Sequence, residues 1–215
     1  MTTKDWEEAW SSNQIGFHQD TTSTYLDRFA DQVWGEGIGR VLVPLSGKSL
    51  DLVFLAERSR EVVGVEFVEQ AVQDFFAERG LTPSISNDGL TRYQADKYTM
   101  FAADFFAVTA EVAGPIDAVL DRASMVALDA PTRERYAAHM AELLPAGART
   151  LLITFDYDQS VSGGPPFSVP SEEIHWLYGD DFEIEHLDTR DVLNDMFRER
   201  GLEEMTESAH VLTRR

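Results

Sequence analysis

The chain has 215 residues, 43% of them hydrophobic, enough to bury one full core and tight for two. Asp and Glu number 38 against 18 Lys and Arg, a formal net charge of -20, and a field of that sign repels phosphate backbones, which argues against a nucleic-acid partner. There is no Cys, so disulfides, thiolate metal sites and a Cys nucleophile are excluded, and the five His (18, 139, 175, 186 and 210) are too scattered to read as metal ligands.

No apolar run approaches the length that spans a bilayer, and the start, MTTKDWEEAW, lacks the basic-then-apolar order of a secretory signal. The expectation is a cytoplasmic protein without a membrane partner. Only residues 4, 48 and 97 are Lys. An acidic, Lys-poor surface is compatible with a saline cytoplasm, and solubility alone would also account for it.

In chain order, Trp6 and Trp10 stand at i, i+4 on one face of a short helix. The segment 1–30 that carries them is expected to cover a site. VLVPL (41–45) reads as a strand with Pro44 near its end, where a missing ladder donor is tolerable. A helix follows from Leu50 to Arg58, then VVGVE (62–66) as a second buried strand. Apolar residues at 68, 71, 72, 75 and 76 give a helix with one buried face, and Gly80 sits where a left-handed stop belongs.

Residues 81–90 are turn-rich and read as a loop, and TRYQA (91–95) joins YTMFA (98–102) as a small hairpin. DAVLD (117–121) and TLLITF (150–155) are further strands, with a helix from Thr132 to Leu144 between them. The tail offers a helix near 171–178, a strand near 182–188, a helix near 190–200 and a last strand near 207–213. Strand and helix alternating through short connections imply parallel pairing, hence one doubly wound α/β domain over 1–215.

In such sheets ligands lie outside the carboxyl ends of the strands, beside the first one. Three readings of LSGKS (45–49) compete. A phosphate loop needs a Gly five residues before Gly47, and position 42 is Leu. A dinucleotide fingerprint needs three glycines for the approach of a pyrophosphate, and only Gly47 is present. The third reading keeps one glycine and the acid at the end of the second strand. Glu66 lies 19 residues beyond Gly47, close to the ~20 expected of a carboxylate gripping ribose hydroxyls. A ligand with a ribose and no phosphate, such as S-adenosylmethionine, suits that pattern. An acid facing a cleft is expected to have little structural role.

Two further strand ends carry polar residues. Asp104, past the third strand, could accept from an adenine amino group with Phe105 and Phe106 flanking the ring; its rival role is a helix N-cap over core Phe. Asp121 and Arg122 end the fourth strand. An Arg there suits a ligand carboxylate, because its planar fork makes two-point contacts.

With these stretches in hand, the whole sequence resembles the bacterial branch of the thiopurine S-methyltransferases. The matching motifs are WEEAW (6–10), IGFHQ (15–19), RVLVPLSGKSLDL (40–52), EVVGVE (61–66), ADFF (103–106), DAVLDRASMVAL (117–128), RERYAAHMAELLPAGARTLLITFDYDQ (133–159) and GPPFSV (164–169). The resemblance implies a class I methyltransferase, Rossmann-like sheet of seven mostly parallel strands with the last antiparallel, S-adenosylmethionine as methyl donor, and a monomer. It places donor contacts on Trp10, Leu45, Glu66 and Arg122, with Asp104 and Phe105 near the adenine. Phe17 falls where the family touches both donor and acceptor, and Phe17 and Arg122 stand nearest the acceptor. Three departures stand out: Ser46 where the family usually has Cys, Phe67-Val68-Glu69 for Leu-Ser-Glu, and Ala102-Ala103 for Cys-Gly or Cys-Cys.

The implied chemistry is methyl transfer to the sulfur of a small thiol or thiopurine-like acceptor, achieved mainly by alignment in a water-poor cleft. No catalytic triad is visible, and His18 is the one candidate to help deprotonate an acceptor. Rival readings are the same fold and donor methylating selenium or tellurium species or halide, or a non-catalytic nucleotide-binding regulatory module.

Overall fold

A computed structural model describes residues 3–12, 18–19 and 21–215. The chain sorts into two compact units, residues 1–119 and 120–215, with one strand crossing the boundary.

The first unit opens with helices α1 (Thr3–Ser11) and α2 (Thr24–Trp34). Ser23 caps α2 by accepting from the Tyr25 amide, Gly35 stops it with φ 69°, and Tyr25, Leu26, Phe29, Ala30 and Val33 form its buried face. Then come β1 (Ile38–Pro44), α3 (Asp51–Arg58), β2 (Ser59–Glu66) and α4 (Glu69–Glu78). Gly80, at φ 64°, donates to Ala77, and Leu81 closes back on Phe76, which is the left-handed stop read from the sequence. Strands β3 (Ser84–Asn87), β4 (Thr91–Ala95) and β5 (Tyr98–Ala102) follow, then a 3-10 turn, the single-turn helix α5 (Ala110–Ala113) and β6 (Ala118–Arg122).

Strand β1 pairs in parallel with β2 and β6, and β2 pairs in parallel with β5. Strands β3, β4 and β5 form an antiparallel meander, so the order in this unit is β3-β4-β5-β2-β1-β6. Its centre is fully buried, with Val41, Leu42, Val63 and Met100 at 0% exposure, as expected of strands covered on both faces.

The second unit takes up the remainder of β6 and continues through α6 (Ala130–Leu143), β7 (Arg149–Asp156), α7 (Ser171–Tyr178), β8 (Phe182–Asp191), α8 (Asp195–Glu199) and β9 (Thr206–Arg214). Asp129 caps α6 by accepting from the Thr132 amide, with Pro131 in the first turn, where its missing N–H costs nothing. The strand order is β6-β7-β9-β8, and β9 runs antiparallel to both neighbours.

The mixed α/β class and the antiparallel last strand agree with the sequence reading. Among the described residues nine strands stand where seven were expected. The additions are β4, anticipated as half of a hairpin, and β3, which falls in the 81–90 stretch expected to be a loop. Ser84-Ile85-Ser86-Asn87 is an edge strand with almost no buried face, so it carries no apolar pattern to read. The helix expected over 190–200 is confined to Asp195–Glu199, because β8 runs on to Asp191 in register with β9. The helix α2 had no counterpart in the sequence reading.

Candidate functional site

Beyond Pro44 the chain turns through Leu45-Ser46-Gly47, and this turn is built from strained backbone. Leu45 has φ 45° and Gly47 φ 51°. A left-handed non-glycine residue costs on the order of 1–3 kcal/mol and persists only where its surroundings enforce it. The enforcement is visible here: the Ser46 amide donates to the Val65 carbonyl at 3.0 Å and the Ser49 amide to the Ser46 carbonyl at 3.3 Å.

Glu66, the last residue of β2, completes the turn. Its Oε2 accepts from the Gly47 amide at 2.9 Å, and its Oε1 accepts from the Val68 amide at 2.8 Å. The residue is 8% exposed. Burial pushes its carboxyl pKa up, against the lowering effect of hydrogen bonds from the Val68, Gly47 and Phe67 amides. The 19-residue separation of Gly47 and Glu66 thus becomes a direct bond. This corrects the expectation that Glu66 has little structural role, for it ties the β1 loop to the start of α4. Three amides do not exhaust the carboxylate's lone-pair sites, which leaves room for a ligand hydroxyl.

Trp10 closes the other side. Its indole lies over Gly47, where an added Cβ would meet Cζ2 at 3.2 Å. Trp10 is itself buried against Val68 and Ala71, with Trp6 beside it, so both tryptophans also anchor α1. The third strand end is joined to the same place, since the Ala103 amide donates to the Glu66 carbonyl at 3.0 Å. Asp104 follows. It is exposed and caps the 3-10 turn Phe105–Ala107 by accepting from the Phe106 amide at 3.0 Å, while Phe105 is buried and Phe106 half-buried. The structure therefore brings Trp10, Leu45, Glu66, Asp104 and Phe105 together around one loop. Phe17 lies outside the described residues, and His18 is half-buried.

This loop fits a ribose-bearing group better than a phosphate. The amides of Ser46, Gly47 and Ser49 are all committed within the protein, leaving no row of free donors for a pyrophosphate. Lys48, the residue that mimics a phosphate-loop lysine, is engaged by Glu78. What remains is a glycine cradle, an acid at its edge and an indole cover.

Ser46 itself is anomalous. Among the described residues its hydroxyl is buried without a hydrogen-bond partner, close against Gly64, where a Cβ would come within 2.9 Å of it. A thiol, a weaker hydrogen-bonding group, would lose less by such burial.

In the second unit, Arg122 is the half-buried last residue of β6 and precedes Ala123, another left-handed non-glycine residue at φ 63°. Asp121 is fully buried, accepting from the Tyr136 hydroxyl at 2.8 Å and the Met125 amide at 3.3 Å. Burial raises its carboxyl pKa to about 6 despite these bonds. The sequence reading singled out Asp121 only as a strand-end acid. The signal for its partner was Tyr136 in the apolar face of α6, where a buried hydroxyl demands an acceptor.

Among the described residues, no group of three or more His, Asp or Glu is arranged to hold a metal ion, and no helix is long and apolar enough to cross a membrane.

Comparison with known proteins bears on this arrangement. The profile of the family described as Thiopurine S-methyltransferase (TPMT) matches residues 1–215. Thiopurine S-methyltransferase of Pseudomonas paraeruginosa (strain DSM 24068 / PA7) is 44% identical over 212 residues, covering 97% of each chain. That of Pseudomonas fluorescens (strain Pf0-1) is 48% identical over 200 residues, covering 92% of this chain and 91% of its own. Among solved structures, the N-methyltransferase NodS from Bradyrhizobium japonicum WM9 in complex with S-adenosylhomocysteine superposes with a TM-score of 0.68 at 10% identity, covering 99% of both chains. The Burkholderia thailandensis 1,6-didemethyltoxoflavin-N1-methyltransferase, also with bound S-adenosylhomocysteine, gives 0.66 at 15% identity, covering 99% of this chain and 87% of that one. At those identities the structural likeness speaks to the fold.

Proposed function

The chain is an S-adenosylmethionine-dependent methyltransferase belonging to the thiopurine S-methyltransferase family, and on that premise we propose that it carries the methyl group to the sulfur of a small thiol or thiopurine-like acceptor. The observation that supports the donor site best is the joint formed by Gly47, Glu66 and Trp10: one glycine cradle, one acid bonded to it, and an indole lid.

Bound there, the donor supplies a methyl on a sulfonium centre, already electrophilic. The residues have other work. The Leu45–Gly47 backbone lies along the methionine part. Glu66 accepts from the ribose hydroxyls through its remaining lone pairs. Asp104 accepts from the adenine amino group, with Phe105 against the ring. Arg122 pairs with the donor carboxylate, and Trp10 keeps water from the cleft. The family resemblance implies that Phe17 meets the acceptor. Such a division of labour catalyses by alignment and water exclusion, and it asks no group of the protein to act as nucleophile. No absolute need for a base arises, since thiols of this class are partly ionised near neutral pH.

The experiment is a transfer assay with isotopically labelled S-adenosylmethionine over small thiols, thiopurines, selenols and halides. Labelled thioether from the thiols or thiopurines is expected. Turnover confined to selenium species or halide would overturn the sulfur assignment.

A further inference from the structure

The methyl-transfer reading gives Asp121 no part, yet it is a carboxylate with 0% exposure near the end of β6. Burying a carboxylate is costly unless donors meet its oxygens, and here they do. Its Oδ2 accepts from the Tyr136 hydroxyl of α6 at 2.8 Å, and its Oδ1 from the Met125 amide at 3.3 Å. The hydroxyl of Ser124, itself buried, bonds to the same carboxylate. All three donors are neutral, so burial still lifts the carboxyl to about 6, and at neutral pH the group is mostly ionised.

Two of those donors belong to the turn that follows Arg122. Ala123 has φ 63°, a conformation that a residue with a Cβ keeps only where its surroundings enforce it. Beyond it the chain closes a 3-10 turn, with the Ala127 amide donating to the Ser124 carbonyl at 3.0 Å and the Leu128 amide to the Met125 carbonyl at 3.1 Å. The far end of this turn is held by Arg133 Nη1, which donates to the Leu128 carbonyl at 2.8 Å, and by the Phe167 amide, which donates to the Val126 carbonyl at 2.6 Å. Its near end is held by Asp121. That side chain reaches across Arg122 and Ala123 to residues 124 and 125, and Tyr136 ties it to α6. Successive side chains leave a strand on opposite sides. With Asp121 committed to α6, Arg122 is turned to the other side.

We propose that Asp121 is a positioning residue for the methyl donor: clamped by Ser124, Met125 and Tyr136, it fixes the left-handed turn at Ala123 and so the guanidinium of Arg122 that receives the donor carboxylate. This rests on the reading that Arg122 pairs with that carboxylate. A two-point contact between guanidinium and carboxylate demands a set direction of approach. A backbone already fixed at the base of a long side chain leaves less freedom to lose when the ligand binds.

Two ligands, titrated by calorimetry into the full chain, test the proposal. S-adenosylhomocysteine carries the amino-acid head; 5′-methylthioadenosine has the nucleoside and thioether without it, and so does not report on Arg122. Arg122→Met should weaken S-adenosylhomocysteine by about tenfold or more and leave methylthioadenosine within about twofold. Asp121→Asn, whose amide nitrogen would face a donor, should weaken S-adenosylhomocysteine by about five- to tenfold with the same indifference to methylthioadenosine. Tyr136→Phe removes one donor and leaves the carboxylate; it should act in the same direction, and it carries the test if the Asn variant does not fold. The double variant Asp121→Asn/Arg122→Met should bind S-adenosylhomocysteine no worse than Arg122→Met alone, because one residue acts through the other. Additive losses in the double variant, equal loss of both ligands in Asp121→Asn, or unchanged S-adenosylhomocysteine affinity there would each overturn the positioning role while leaving Arg122 in place. Equal loss of both ligands in Arg122→Met would overturn the Arg122 pairing itself, and the proposal with it.

Discussion

Replacing Glu66 by Gln tests the donor site most sharply, because the structure gives that residue two jobs. Its carboxylate accepts from the buried amide of Val68 and the half-buried amide of Gly47. Gln can keep one of these bonds through its carbonyl, but its amide nitrogen then faces the other N–H. A buried donor left unsatisfied costs about 1–3 kcal/mol. For a chain of this length, each kcal/mol lowers Tm by roughly 2–4 °C, so the ligand-free variant should melt several degrees below the parent. The second job is the ribose contact, a hydrogen bond to a charged group worth about 1.5–3 kcal/mol. Its loss should weaken S-adenosylhomocysteine by about ten- to a hundredfold at ~1.4 kcal/mol per decade. Calorimetry on the folded variant measures affinity and a thermal melt without ligand measures stability, so the two effects separate. Lower stability with unaltered affinity would mean that Glu66 only ties the loop, and the ribose contact would have to be abandoned.

Further outcomes follow from other groups. Ser46→Cys or Ser46→Ala removes a buried hydroxyl that has no partner among the described residues and should raise the melting temperature; a fall would show that the hydroxyl is satisfied. Asp121 and His210 should give opposite pH slopes. The Asp121 pKa is raised from 3.8 to about 6 by burial, so its contribution to stability is lost as pH rises through that window. The His210 pKa is lowered from 6.5 to about 4 by burial and by the neighbouring His186 and His175, so its contribution is lost as pH falls through nearly the same window. The two oppose each other in the parent. Asp121→Asn should therefore make the protein more acid-sensitive than the parent between about 6.5 and 4, and His210→Phe less so, as read by melting temperature across pH; matching profiles would refute both assignments. Finally, with a net charge of -20, self-repulsion should weaken the fold in dilute buffer, and the melting temperature should climb from low to molar sodium chloride. A flat profile would leave solubility as the account of the acidic surface.

What the sequence disclosed follows from where burial leaves a periodic trace. Helix α7 occupies residues 171–178 as read, because Pro170 starts it and Ile174 and Tyr178 mark its buried side. The central strands were legible as apolar runs because they are covered on both faces. Strand β3 was not, because an exposed edge strand held by main-chain bonds to β4 needs no apolar side chains. In the candidate site, the spacing of Gly47 and Glu66 pointed to a shared ligand. It could not show that left-handed turns at Leu45 and Gly47 aim the glycine amide at that carboxylate. For Asp104 the reverse holds: the N-cap role weighed as its rival is present in the structure, and the proposed adenine contact must use what capping leaves free. Arg133 and Glu173 stand 40 residues apart in α6 and α7, and their pairing belongs to packing that no local pattern encodes.

The central claim is that this chain holds S-adenosylmethionine in the loop joined by Glu66 and Gly47. Titration calorimetry with S-adenosylhomocysteine and NAD in parallel tests it most directly, supported by thermal melts. S-adenosylhomocysteine should bind and stabilise the protein by about 2.7 kcal/mol at a hundred times its dissociation constant, while NAD leaves heat and melting temperature unchanged. Binding of NAD, or silence toward S-adenosylhomocysteine, would contradict it.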